Sequence, residues 1–321
     1  MQRTIGMLLI GVGAFFLTLS PLVRFYAAKQ LIALPIDTYS TTRLQAQNGS
    51  YFDAGNLRLR QGVTVVATNT VRGDVRASTD KVAVWDTFTS ISDATTGSPI
   101  DYRQTRQAFD RRTSNLVMCC GAAVGNDTST KQAGLGTLWP IANVEKKTYQ
   151  YFDVTTRQTL PINYDGEDTV QGLRAYRFVL NVPHTRISEV ADVPGNVLGL
   201  GESSGNVDAD RYFRGTKTVW VDPRTGAVVN QEENVRSTLH TKDGVERLTV
   251  AAFHLKMVPA DQQKLVKLAN DNATTITVVK TIVPIATLVV GAILLVAGIL
   301  VSMAAAGRGR GDRGARRAEI V

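Results

Sequence analysis

Apolar and polar positions divide this chain into three regimes. Residues 5–23 carry no formal charge and are mostly apolar, and 282–303 repeat the pattern with only Pro284, Thr287 and Ser302 as mild interruptions. Each run reaches the ~20 residues that carry a helix across a bilayer core. For the first run an uncleaved anchor is expected, because Ser20-Pro21-Leu22 and Tyr26-Ala27-Ala28 make poor cleavage sites. Helical periodicity continues over 24–34 and should end at Pro35. From Tyr39 the pattern shortens into β-branched runs broken by turn signals. Strands are predicted at 57–60, 63–68, 81–89, 105–109, 147–154, 174–182, 216–222, 227–235 and 246–255. Turns are predicted at Asn48-Gly49, 72–74, 97–99, 222–226 and 242–244. The Gly/Ala/Thr-rich stretch 121–136 reads as a loop. A helix over 261–279, capped by Asp261, should lead into the second apolar run.

These elements predict a membrane-anchored, β-rich (α+β) ectodomain of antiparallel sheets, flanked by one N-terminal and one C-terminal transmembrane helix. The expected divisions are a cytoplasmic 1–4, a span at 5–23, an extracytoplasmic domain over 24–280 with a juxtamembrane helix at 261–280, a second span at 281–304 and a tail at 305–321. A faint echo links Thr70-Val-Arg-Gly73 with Thr169-Val-Gln-Gly172, and Asp110-Arg-Arg-Thr113 with Asp222-Pro-Arg-Thr225. It suggests two repeated curved-sheet lobes, 36–136 and 137–258, although common hairpin chemistry produces such echoes too. Glycines at 6, 13, 291 and 298 would let membrane helices approach closely.

Charge sets the expected orientation. Arg308, Arg310, Arg313, Arg316 and Arg317 follow the second apolar run, and Arg3 precedes the first. Short basic flanks stay in the cytoplasm, so both termini are expected inside the cell membrane and everything between the spans outside. The net charge is +8 at pH 7, and Arg3 with the five tail arginines, less Asp312 and Glu319, carries half of it. The remainder names no partner, and topology explains the Gly/Arg tail, expected to be disordered, without a nucleic acid.

Few residues suggest chemistry. The two cysteines, Cys119 and Cys120, are adjacent. Outside the cytoplasm they would form a vicinal disulfide, remain as buried thiols or pair with another chain. Gly201-Glu-Ser-Ser-Gly205 matches a nucleophile elbow with Ser203 as nucleophile, but its flanks read as loop where a strand and a helix are needed. Asn206-Val-Asp-Ala-Asp210 opens like a calcium loop, yet Arg211 and Lys217 occupy the Gly and Glu positions. His184, His240 and His254 lack metal spacing. Glu232 and Glu233 lie in one strand and so face opposite sides. No catalytic residue, cofactor or metal is expected. Tyr149, Tyr151, Tyr176, Phe178 and Leu180 would either line an apolar groove or fill the core.

The run Leu138-Trp-Pro-Ile-Ala-Asn-Val-Glu-Lys-Lys-Thr-Tyr-Gln-Tyr-Phe-Asp153, the stretch from Pro161-Ile-Asn-Tyr to Ala175-Tyr-Arg-Phe178 and Trp220-Val-Asp-Pro-Arg-Thr-Gly226 resemble an actinobacterial envelope family. It is a PorA-like domain of unknown function that includes the mycobacterial polar growth factor PgfA. The resemblance covers nearly the whole chain and its motifs are structural. It implies a periplasmic lipid-handling role: in mycolate-making organisms, binding trehalose monomycolate beside an RND-type exporter at the growing pole. The expected function is therefore a tethered, non-enzymatic factor for envelope lipid binding or trafficking. A protein-binding scaffold of envelope assembly and a Ser203 hydrolase are the alternatives.

Overall fold

A computed structural model of the chain describes residues 2–28, 32–142, 144–201 and 203–318, with backbone only for 2, 3 and 305–318. The chain forms two compact units: Leu34–Asp271, and Met1–Ala33 together with Asn272–Val321.

The first unit is one curled antiparallel sheet. Its strands are β1 (Tyr39–Asp53), β2 (Arg58–Gly73), β3 (Val82–Asp93), β4 (Pro99–Asp110), β5 (Ala123–Val124), β6 (Tyr149–Asp153), β7 (Gln158–Val170), β8 (Leu173–Pro194), β9 (Asn206–Val221), β10 (Val228–His240) and β11 (Glu246–Met257). The spatial order is β5-β4-β3-β2-β1-β11-β10-β9-β8-β7-β6. Two meanders thus meet where the first long strand pairs with the last, with Leu44 opposite Met257 and Tyr51 opposite Ala251. The sheet runs unbroken through the two predicted lobes. Bridges from Phe109 to Leu116, from Asn115 to Leu135 and from Leu135 to Tyr151 tie its ends through the intervening segment.

The curl follows from the burial pattern. Val65 and Ile91 from one meander share a single apolar cluster with Ile162, Phe178, Leu180 and Val221 from the other. Strands so far apart in the sheet order meet only if the sheet bends round. Trp139, from the connection between β5 and β6, is 1% exposed and fills this interior, with its ring centroid 4.4 Å from that of Phe178. Burying a side chain of that size stabilises the fold by about 1.5–3 kcal/mol.

One turn device recurs along both meanders. Asp53, Asp93, Asp110, Asp153 and Asp222 each stand four positions before a residue of positive φ, namely Leu57, Gly97, Ser114, Arg157 and Gly226. The aspartate carboxylate accepts backbone N–H groups within the turn, from Asn56, Thr96, Thr113, Thr156 and Arg224 respectively. Such Asx bonding replaces the backbone partner that a hairpin reversal forfeits. The echo goes further than the predicted motifs: Tyr51-Phe-Asp53 ends β1 and Tyr151-Phe-Asp153 ends β6, each leading into this turn.

Several expectations are corrected here. Asn48-Gly49 is a bulge inside β1 (Asn48 φ 54°), because strands on both flanks keep the chain extended through it. Segments 193–194 and 206–210, expected as loop, belong to β8 and β9, which pair there. The stretch 121–136 contains β5 and is held by Asp127, whose carboxyl is lowered to about 2 by the Ser129 and Thr130 hydroxyls. Helix α2 spans Pro259–Thr277. Asp261 does not cap it. Its buried carboxylate accepts the Arg43 backbone N–H (2.7 Å) and guanidinium (3.3 Å), pinning the helix to β1. Val266 and Ala269 on α2 pack with Leu173, Ala175 and Val229.

The second unit is an antiparallel helix pair, α1 (Gln2–Leu22) and α3 (Val283–Ala318). π-helical turns follow α1 at Val23–Ala27 and precede α3 at Val278–Ile282. The second lies just before Pro284, whose missing N–H breaks the regular ladder. Two helices are long and apolar enough to cross a membrane, which fits a membrane protein. The seam uses small residues in heptads: Gly6, Gly13 and Ser20 on α1, and Pro284, Gly291 and Gly298 on α3. A Cβ on Gly13 would lie 2.6 Å from the Leu295 nitrogen, and one on Gly298 would lie 2.8 Å from the Gly6 carbonyl oxygen. Ser20 Oγ donates to the Pro284 carbonyl at 2.7 Å. A strict seven-residue spacing keeps these contacts on one stripe. The backbone of α3 stays helical through the Gly/Arg tail to Ala318, where disorder was expected; alanine and arginine are good helix formers and offset the glycines. The side chains of Arg308, Arg310, Arg313, Arg316 and Arg317 lie outside the described residues.

Candidate functional site

The inner wall of the curled sheet is not uniformly apolar. Side chains alternate across a strand, so Arg211 and Lys217 on β9 share the face of the buried Ala209, Phe213, Val219 and Val221. Glu233 on β10 shares the face of Val235 and stands opposite Lys217 in the register. Asp101 and Arg103 on β4 pair with Ile91 and Thr89 of β3, and Ile91 belongs to the central cluster. Five charged groups from three strands therefore point inward.

Lys217 Nζ lies 2.8 Å from Glu233 Oε1, and Gln231 Nε2 donates to the same oxygen at 2.8 Å. The Lys217 ammonium also sits 5.6 Å from the Tyr151 ring centroid. Burial pulls the lysine down, but the Glu233 carboxylate outweighs it and holds Lys217 above its ordinary value. Burial likewise pushes Glu233 up, and Lys217, with Arg103 across the curl, brings it below the ordinary range. Arg211 is lowered by burial, with Asp101 raising it and Arg103 opposing, and its Nε donates to Ser237 Oγ at 2.9 Å. Arg103 reaches Asp101 at 3.3 Å and Thr155 Oγ1 at 2.7 Å. Lys217 and Glu233 keep 22% and 20% of their side chains exposed, and Arg103 and Asp101 keep 26% and 28%. Water thus reaches this part of the wall. A carboxylate held ionised and an ammonium held protonated are poor acids, bases and nucleophiles at neutral pH. The cluster suits electrostatic selection, not proton transfer.

The outer face of the sheet is wet. Glu232 meets His254 at 3.0 Å and Lys256 at 3.8 Å, Arg236 meets Glu246 at 2.6 Å, and Arg106 meets Asp86 at 3.0 Å. A charge on a lipid-facing strand costs about 2–4 kcal/mol at mid-bilayer, so this sheet does not cross a membrane as a barrel.

The residues singled out from sequence are dispersed. Phe178 and Leu180 are fully buried, Tyr151 is nearly so, and Tyr149 and Tyr176 pack against the same cluster. Of the two roles open to this set, Phe178, Leu180 and Tyr151 take that of core, with Tyr149, Trp139 and Phe178 in mutual ring contact, while Tyr176 stays half-buried at its margin. Cys119 and Cys120 are joined to each other. Cys120 has φ 60°, and its carbonyl accepts Arg106 Nε at 3.1 Å. Ser203 lies between the end of β8 and the start of β9, so neither the strand nor the helix of an elbow flanks it. No group of three or more metal-type ligands occurs among the described residues. Sequence reading missed that His184 stacks on Tyr212 (4.5 Å), which meets His240 (4.5 Å) on the outer face. It also missed the inward charges, although Lys217 and Arg211 fall in phase with apolar neighbours.

A family model described as Porin PorA matches residues 5–300. A Porin PorA of Corynebacterium amycolatum is 22% identical over 318 residues, covering 78% of this chain and 82% of the relative. A Porin PorA of Corynebacterium resistens is 24% identical over 159 residues, covering 36% of this chain and 38% of the relative. These relatives are named porins, and that overturns the expected role as a tethered lipid-trafficking factor. With a family model spanning all but its extreme ends, the chain belongs to the Porin PorA family.

Proposed function

We propose that this protein is a non-enzymatic permeability factor that passes small charged solutes, as the name of its relatives suggests, and that the inward charges of the curled sheet sort those solutes. The observation that carries this reading is the Lys217–Glu233 pair with Arg103, Arg211 and Asp101 on a partly wetted inner wall. Mixed charge on such a wall sets a barrier that depends on the sign of the permeant ion. The membrane crossing is assigned to the helices, since the outer face of the sheet is ionic. The glycine seam closes α1 onto α3 within one copy, so conduction requires several copies. Both termini are placed in the cytoplasm, a reading supported by Arg3 and the tail arginines.

Purified full-length chain in a planar lipid bilayer tests this. Discrete conductance steps are expected, with a reversal potential in a salt gradient that moves toward cation selectivity in Arg211→Gln. A bilayer that stays at its leak current, with the protein shown to be inserted, would sink the proposal. An unchanged reversal potential in Arg211→Gln would sink the role of the inner wall.

A further inference from the structure

A separate cavity of about 300 Å³ opens where the β7–β8 turn, the β9–β10 turn and α2 come together. Gly172, Leu173, Arg174, Tyr176, Pro223, Arg224 and Asn270 line it. That volume is at the lower end for small-molecule sites. None of its residues belongs to the charged inner wall.

Two arginines define its chemistry, and each is held by an acid that leaves part of its fork unused. Arg224 is clamped by the fully buried Asp222, with Nε to Oδ1 at 3.0 Å and Nη2 to Oδ2 at 3.1 Å, and Nη2 also donates to Asn270 Oδ1 at 2.8 Å. Arg174 gives Nε and Nη2 to Glu167. In both, Nη1 has no hydrogen-bond partner among the described residues. Lys146 pairs with Glu167 and lies 5.3 Å from the Tyr176 ring centroid. Two cations thus line the cavity and a third, Lys146, touches its Tyr176 wall, against two carboxylates, Glu167 beside Arg174 and Asp222 sealed beneath Arg224. Gly172, at φ 82°, has nothing within 4 Å of where a Cβ would sit, so the rim above it is open. Leu173, Tyr176 and Pro223 supply its apolar and aromatic walls.

We propose that this cavity binds a small phosphate monoester, with its oxyanion between the Nη1 groups of Arg174 and Arg224 and its body against Tyr176, Leu173 and Pro223. Fixed guanidinium groups favour planar and tetrahedral oxyanions because little rotamer freedom is lost on binding. The exposed mouth suits a ligand that keeps one end in water.

The test is calorimetric titration of the full chain in detergent micelles, at low salt, with phenyl phosphate and with inorganic phosphate as probes. Saturable one-to-one binding of phenyl phosphate is expected, weaker for inorganic phosphate, and reduced about tenfold or more in Arg174→Ala and in Arg224→Lys. Arg174 is 72% exposed at its side chain, so its replacement leaves the fold intact, and a melting curve checks this for both variants. Absence of saturable heat with phenyl phosphate, equal binding of the two probes, or unchanged affinity in both folded variants would each overturn the proposal.

Discussion

Removing the Lys217 ammonium while leaving Glu233 in place should destabilise the sheet and reverse the sign of its response to acid. Truncating one partner of a fully buried ion pair costs about 3–5 kcal/mol. Here each side chain keeps roughly a fifth of its surface exposed, and Gln231 stays bonded to Glu233. Lys217→Met should therefore cost nearer ~2 kcal/mol, which lowers Tm by roughly 4–8 °C for a unit of this size. The double variant Lys217→Met/Glu233→Leu removes the orphaned charge and should recover most of that loss, giving a coupling of about 1–2 kcal/mol. The signs follow from linkage. Glu233 is depressed in the folded protein, so its contribution is present above the unfolded value near ~4.3 and fades as pH falls through the lower folded value. Lys217 is raised, so its contribution is complete below ~10.4 and fades as pH climbs through the folded value. The wild-type pair is consequently flat between about pH 5 and 10. In Lys217→Met, burial dominates Glu233 and lifts it above its unfolded value, so stability should increase as pH falls from about 7 to 5. Urea unfolding of the full chain in detergent reads all of this, since Trp85, Trp139 and Trp220 all report on the sheet. Additivity of the two single variants within about 0.3 kcal/mol, or an acid response in Lys217→Met like that of wild type, would refute the reasoning.

Other expectations are simpler. Trp139→Ala empties the centre of the curl and should cost about 3–5 kcal/mol by the same urea assay. Asp153→Ala deletes the bonds to the Thr156 N–H and hydroxyl, at 2.8 and 2.7 Å, and should cost ~1 kcal/mol, with Asp53→Ala costing a similar amount at the matching turn. Gly13→Leu forces backbone apart at the seam, so spin labels at the exposed Leu8 and Ile299 should show a longer, broader distance distribution by pulsed EPR; an unchanged distribution would mean that the seam glycines are dispensable.

What the sequence discloses depends on how many forces act at a position. The spans were legible because one rule, solvation by hydrocarbon, governs every residue in them. β8 and β11 were found in outline because alternation and β-branching agree. β1 was missed: its buried positions alternate only in two short pairs, Leu44 with Ala46 and Gly49 with Tyr51, whose phase shifts at Asn48-Gly49, which mimics a turn. β7 was missed because Pro161, Gly166 and its acidic residues read as loop. In β1 ladders on two flanks override the local preference, and in β7 the β6 ladder holds Pro161 while the β8 ladder holds Gly166 and the acidic residues. The inward charges were hidden for a related reason. Lys217 in the run Thr-Lys-Thr-Val-Trp-Val looks solvated until its phase with Val219 and Val221 is counted. Glu232 and Glu233 do face opposite ways, one to His254 and Lys256 outside and one to Lys217 inside. The Tyr-Phe-Asp repeat at 51–53 and 151–153 was visible all along as a string, but its meaning needs the shared position at the end of β1 and β6.

The pairing of β1 with β11 has a consequence for how the protein is made. Ser50 meets Ala252 across 202 residues, and Arg43 meets Asp261 across 218. During synthesis β1 emerges first and can pair with β2 at once, while its other edge stays open until nearly the whole sheet has followed. A ladder closed across so much chain is slow to form, and a waiting strand edge invites pairing with foreign strands. The nascent chain therefore passes through a prolonged stage in which its earliest strand needs shielding, and premature termination before β11 would leave that edge permanently exposed.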